Sequence, residues 1–175
     1  MASTLKVNEI QHTGGTSAMT IDSSGRILQP AKPAFHTIGS GGWTTFSNGA
    51  WTQIEMTSPS LNIGSHYDST NSKFIAPVAG VYHFYAKVYG RVQAGGNNTT
   101  YWNCRFQKNN GVISGHDSVI MGYYYADGGF DETAHLSINL QLAVNDEITV
   151  HAKSAGSYNG EYYKAQNEFG GHLIG

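Results

Sequence analysis

Lys73-Phe-Ile-Ala-Pro-Val-Ala-Gly-Val-Tyr-His-Phe-Tyr85 joins a short strand, a turn and the start of a second strand. Pro77 has no amide hydrogen and so ends strand pairing, and Gly80 tolerates the backbone angles that a reversal needs. After the turn, Tyr82, Phe84, Ala86 and Val88 alternate with His83, Tyr85 and Lys87. Period-two alternation marks an antiparallel strand with one buried face.

Working outward, the clearest further alternation is Leu136-Ser-Ile-Asn-Leu-Gln-Leu142, repeated by Ile148, Val150 and Ala152. Strands are expected over 33–39, 43–47, 51–57, 61–64, 73–77, 80–92, 100–108, 111–125, 134–144, 147–154 and 168–174. Asn110-Gly111 is the expected type I′ hairpin turn, since both residues accept positive φ. Sheets that are each apolar on one face must bury those faces together, which predicts an all-β sandwich. Antiparallel alternation then places the loops 91–100, 126–133 and 154–167 at one end, the tip, and the Pro77–Gly80 turn at the base.

Composition agrees. Of 175 residues only 13% are charged, the net charge is -2 and 22 are Gly, a turn-rich, weakly charged makeup that gives helices little support. No basic cluster with interleaved aromatics is present, so neither nucleic acid nor an anionic membrane surface is an expected partner. No apolar run is long enough to cross a bilayer, and residues 1–10 lack the charged start and hydrophobic stretch of a secretion signal. Cys104 is the only cysteine, which excludes an intrachain disulfide, and its alternation with Trp102 and Phe106 predicts a buried core position.

Phe74, Pro77, Gly80, Tyr82 and Phe84 stand at the spacing Phe-x-x-Pro-x-x-Gly-x-Tyr-x-Phe, which resembles the central motif of the C1q domain, the trimeric head related to tumour necrosis factor. Tyr67-Asp68, Phe106-Gln-Lys-Asn-Asn-Gly111, Leu140-Gln-Leu142 with Asn145-Asp146-Glu147, and a closing Phe169-Gly-Gly-His-Leu-Ile174 follow in that family's order. Asn145 stands where the family usually has Gly, and His172 where it often has an aromatic. The resemblance covers residues 33–175 and implies a jelly-roll head that forms a homotrimer.

Residues 1–32 read differently. Leu5-Lys-Val-Asn-Glu-Ile10, Ala18-Met-Thr-Ile21 and Arg26-Ile-Leu28, the last two joined by the turn Asp22-Ser-Ser-Gly25, carry too few apolar side chains for a core of their own. Such a segment must lean on other chains. Joined through Pro30-Ala-Lys-Pro-Ala-Phe35 to a C1q-like head, with no Gly-X-Y repeat, it resembles the leaders of tailed-bacteriophage virion structural and fibre proteins. That resemblance implies a location on the virion, other virion proteins as partners of residues 1–32, and a bacterial surface glycan or protein receptor as partner of the head. A capsid decoration or head-fibre role fits the same features. A small glycan-degrading enzyme and a secreted C1q-type ligand are weaker alternatives.

No catalytic spacing is present: no His-Glu-x-x-His, no Gly-x-Ser-x-Gly and no phosphate-cradling glycine loop, so the expectation is a non-enzymatic protein. The histidines are scattered without a close pair in sequence, and His83, His135, His151 and His172 read as strand surface or interface residues. No cofactor is expected, with calcium as the candidate cation at Asp127, Asp131 and Glu132, an acidic glycine-rich loop without EF-hand spacing. Tyr158, Tyr162 and Tyr163, with Asn97 and Asn98, are the candidate receptor-binding tip. Aromatic rings stack on sugar faces and amides supply directed hydrogen bonds. Tyr162→Ala and Tyr163→Ala are accordingly expected to weaken adhesion without lowering stability.

Overall fold

In this computed structural model, residues 5–92, 101–116, 118–120, 131–155 and 158–175 are described. A leader of three short strands, β1 (Glu9–Gln11), β2 (Ser17–Ile21) and β3 (Ile27–Leu28), forms its own antiparallel sheet in the order β1-β2-β3. The head follows with β4 (Ala34–Ile38), β5 (Trp43–Phe46), β6 (Thr52–Gln53), β7 (Ser58–Ile63), β8 (Tyr67–Asp68), β9 (Lys73–Ile75) and β10 (Gly80–Val92). It continues with β11 (Tyr101–Lys108), β12 (Gly111–Val112), β13 (Ser118–Ile120), β14 (Asp131–Leu142), β15 (Glu147–Ala155), β16 (Gly160–Tyr163) and β17 (Glu168–Leu173).

β10 is the spine of one sheet. Along one edge it pairs with β14 over its whole length, from Gly80 opposite Leu142 to Arg91 opposite Asp131. Its other edge is shared: β17 takes the lower half, Tyr82 to Lys87, and β16 takes the top, Gly90 to Val92. β17 continues through β4 to β7, and β16 continues to β5. The second sheet is built on β11 and β15, extended by β12 and β13 on one side and by β6, β9 and β8 on the other.

The period-two pattern is realised as read. Tyr82, Phe84, Ala86 and Val88 are all buried, and so are Trp102, Cys104 and Phe106 from the facing sheet. Burying such a side chain contributes about 1.5–3 kcal/mol. Ring contacts lock the layers, with Phe35 stacked on Tyr67 and Phe74 at centroid distances of 4.9 and 5.0 Å and edge-on to Phe169 at 4.8 Å. Phe84 and Phe169 each meet Phe106 across the sandwich. Burial raises the pKa of the Cys104 thiol well above its ordinary value, so the thiol stays protonated and behaves as a core residue.

Five local expectations change. The expected strand over 111–125 is interrupted, with residues 113–116 outside any strand between β12 and β13. Gly80 does not adopt positive φ; a Cβ there would lie 2.7 Å from Leu173 Cδ1 and 3.1 Å from the Gly175 carbonyl oxygen, so close approach is what requires glycine. The hairpin turn lies one residue earlier than Asn110-Gly111: Asn109 and Asn110 carry the positive φ values, 52° and 60°, and Gly111 already pairs with Lys108. The expected 51–57 strand is only β6, after which Ile54 and Met56 are buried without strand pairing. Finally, the expected 154–167 loop contains β16 and a 3-10 turn, Lys164–Gln166. Asn145, in the position of the family's glycine, takes φ 67°, which Asn tolerates better than other side chains.

His151, on the outside of β15, is only 8% exposed and shares a 3.0 Å hydrogen bond between Nε2 and Thr149 Oγ1. Burial, then the charge of Arg105, lowers its pKa to about 4. The unfolded chain takes up this proton near pH 6.5, and the folded chain only near 4, so stability falls as pH drops through that window. Melting temperature should therefore decline between pH 6.5 and 5, and His151→Gln should flatten that part of the curve. An equally steep decline in the variant would assign the loss to other groups.

Candidate functional site

Register brings one end of the molecule together. Arg91 lies opposite Asp131 on one side and Glu161 on the other, while Val92 meets Gly160 and, in the second sheet, Tyr101 meets Ala155. The expected convergence of strand ends at a tip is therefore present among the described residues. The opposite end holds the Pro77–Gly80 turn and the chain terminus, where the Val81 N–H donates to the Gly175 carbonyl at 2.7 Å.

Odd-numbered residues of β10 project outward, and near the tip they meet their neighbours from β5, β14 and β16. The Arg91 guanidinium is 2.8 Å from the Glu161 carboxylate and lies over the Trp43 ring at 3.9 Å. Trp43 also contacts Tyr89 at 5.6 Å and Tyr163 at 5.4 Å. Tyr89 Oη donates to Asp131 Oδ2 at 2.6 Å, and this bond to a carboxylate raises the phenol pKa. The result is a half-exposed aromatic cluster edged with charges, able to stack on flat apolar faces and to hydrogen-bond polar substituents. Trp43, Tyr89 and Arg91 escape a sequence search because they come together only through the pairing of separate strands; outward alternation along β10 was the available signal for Tyr89 and Arg91.

The candidate tip residues separate. Asn97 and Asn98, and the calcium candidate Asp127, lie outside the described residues. Tyr163 joins the outward aromatic cluster. Tyr158 is partly buried against the core, and its carbonyl accepts a hydrogen bond from Ser154 Oγ. Tyr162 is the correction: it is 2% exposed, stacks near Phe46 at 6.5 Å and accepts the Glu55 N–H through its hydroxyl at 3.3 Å. Burial pushes its phenol up to about 12. Alternation along β16 sends Tyr162 inward and Tyr163 outward, so adjacent tyrosines cannot share one surface.

The same rule divides the calcium candidates. Asp131 faces outward and is bonded to Tyr89, whereas Glu132 turns inward, where one carboxylate oxygen is buried without a hydrogen-bond partner and burial raises its pKa. They do not converge, and among the described residues no three His, Cys, Asp or Glu side chains gather for a metal ion.

The C1q domain model matches residues 43–174. Among solved structures, the chain is similar to Eiger TNF from S. frugiperda, with a TM-score of 0.56 and 14% identity over 83% of this chain and 94% of that one. It is also similar to the globular domain of the zebrafish complement 1qA protein, with a TM-score of 0.52 and 13% identity over 82% of this chain and 98% of that one. The match to these structures is one of fold: a two-layer jelly roll whose strands bury the motif residues Phe74, Tyr82, Phe84 and Phe169.

Proposed function

This chain belongs to the C1q domain family, and from that premise we propose that it is a non-enzymatic virion structural protein of a tailed bacteriophage. In this reading the head forms a homotrimeric fibre or fibre tip that contacts a glycan or protein on the bacterial surface, and residues 1–32 hold it to other virion proteins. The observation that carries the reading is the leader sheet. Leu5 is 82% exposed, Ile27 62%, Leu28 48% and Ile10 47%, apolar area that three short strands leave uncovered. Strands of this size without a core need partners to be stable.

The head supports the second half of the proposal. Trp43, Tyr89 and Tyr163, flanked by Arg91 and Asp131, form a surface at the end away from the leader, with the aromatic and polar character that sugar binding needs. Three such surfaces on one trimer convert weak individual contacts into strong adhesion. Sedimentation of the purified chain should give three times its 18.9 kDa mass; a monomer at micromolar concentration would remove the trimer from this reading.

A further inference from the structure

The outer face of the second sheet, the one without the tip cluster, holds a groove of about 470 Å³, within the about 300–1,000 Å³ of small-molecule sites. Register sets its floor. Ile148 and Val150 of β15 point into the core, so Thr149 and His151 point outward, and Gln53, directly opposite His151, shares that side. Glu147 and Lys73 complete the floor as an ion pair at 2.6 Å. Two turns wall the groove, with Thr70 and Asn71 between β8 and β9 on one side and Asn110 between β11 and β12 on the other, and Glu55 completes the lining.

These groups are held in place by bonds that leave others unused. Both Nε2 hydrogens of Gln53 go to the Asn71 and Ser72 carbonyls, at 2.6 and 3.1 Å, which leaves Oε1 to accept. Asp68 accepts the Thr70 and Asn71 backbone N–H groups at 3.0 and 3.1 Å and the Asn71 Nδ2 hydrogen at 2.7 Å, so Asn71 Oδ1 is a second acceptor. Thr149, only 4% exposed, shares a 3.0 Å hydrogen bond with His151 Nε2, while His151 Nδ1 is buried without a partner. A buried N–H left unpaired is costly, so the imidazole proton sits on Nε2 and is donated to Thr149 Oγ1. The threonine hydroxyl hydrogen then remains for a group in the groove.

The charges of the lining are compensated, Glu147 by Lys73 and Glu55 by Lys164. The groove therefore selects neither anion nor cation by its net field, and it sets hydroxyl and amide hydrogens beside carboxylate and amide oxygens, the mixture that neighbouring alcohol groups satisfy. We propose that the groove binds one neutral sugar unit of a glycan, with Thr149 donating to it and Gln53 and Glu147 accepting from its hydroxyls. This site is separate from the tip cluster and does not rest on the virion assignment. No aromatic ring lines it, so a single groove binds weakly, and repetition of the groove in an oligomer supplies avidity.

Titration of the full chain with maltose, lactose and cellobiose, each alone, should shift the side-chain amide NMR signals of Gln53 and Asn71 saturably at millimolar concentration for at least one of these sugars, a readout that needs no variant to fold. Glucosamine and glucuronic acid should bind no more tightly. Thr149→Val, which keeps the shape of the side chain, should weaken binding about fivefold, the loss of one hydrogen bond. Glu147→Gln should weaken it as well, Thr149→Ser should retain it, and His116→Ala should leave it unchanged. No shift with any of the neutral sugars, shifts confined to the tip cluster, tighter binding of either charged sugar, or unchanged affinity in both Thr149→Val and Glu147→Gln would each overturn the site.

Discussion

Tyr162→Ala lowers the stability of the head by about 3–5 kcal/mol, the cost of removing a large buried aromatic side chain, whereas Tyr163→Ala costs about 1 kcal/mol or less. The two residues are chemically identical neighbours on β16, and the difference arises from which face each occupies. Tyr162 fills space between Phe46 and the backbone at Glu55, and Phe46 in turn packs on Trp102 at 5.8 Å. The fit is close enough that a Cβ on Gly160 would lie 2.0 Å from the Phe46 ring. Among the described residues, the Tyr163 ring meets Trp43 of the outer aromatic cluster, so its loss should appear in adhesion instead. Chemical denaturation of both variants checks this. Equal stability losses would mean that Tyr163 is a packing residue too.

On the proposed virion reading, deleting residues 1–32 should abolish incorporation into particles and leave the head folded and trimeric. Every residue of the hydrophobic core lies in the head, the first of them being Phe35. The leader touches the head at the base, where Lys32 Nζ donates to the Ile174 carbonyl at 3.0 Å and where Ala18, Gln29 and Ala31 help line a cavity of about 470 Å³ with Val78 and Leu173. These are exposed contacts, and the strand anchor from the Leu173 N–H to the Pro33 carbonyl survives the deletion. A thermal melt and sedimentation of the shortened chain test the folding half, and probing purified particles for the protein tests the other. An unfolded or monomeric product would show that the domain boundary is misplaced.

Long alternating strands were legible in the sequence because their pattern is local. The 80–92 expectation matches β10, and Leu136 to Leu142 falls within β14, since burial of one face is written into every second residue. β16 was not legible. Gly160-Glu-Tyr-Tyr163 is flanked by Ser, Asn and Gly, which read as a loop, and its strand state depends on pairing with the top of β10 and with β5. The turn at Asn109-Asn110 was displaced by one residue for a related reason: Asn and Gly both accept positive φ, and cross-strand register decides which residues use it.

The candidate site shows the same division. Asp131 and Glu132 are adjacent in sequence yet point to opposite faces, while His83 and His172, far apart in sequence, become direct cross-strand partners. Sequence proximity misleads for residues within a strand, and only the register reveals which side chains share a surface.

The receptor-binding reading is tested most directly with the fluorescently labelled head, residues 33–175, verified as a trimer and titrated onto a panel of bacterial cells and their extracted surface glycans. Saturable binding to a particular host, weakened by Tyr163→Ala, is the predicted result. No binding by the verified trimer across a panel that contains the host would contradict a receptor-binding fibre tip and leave a structural or decorative role.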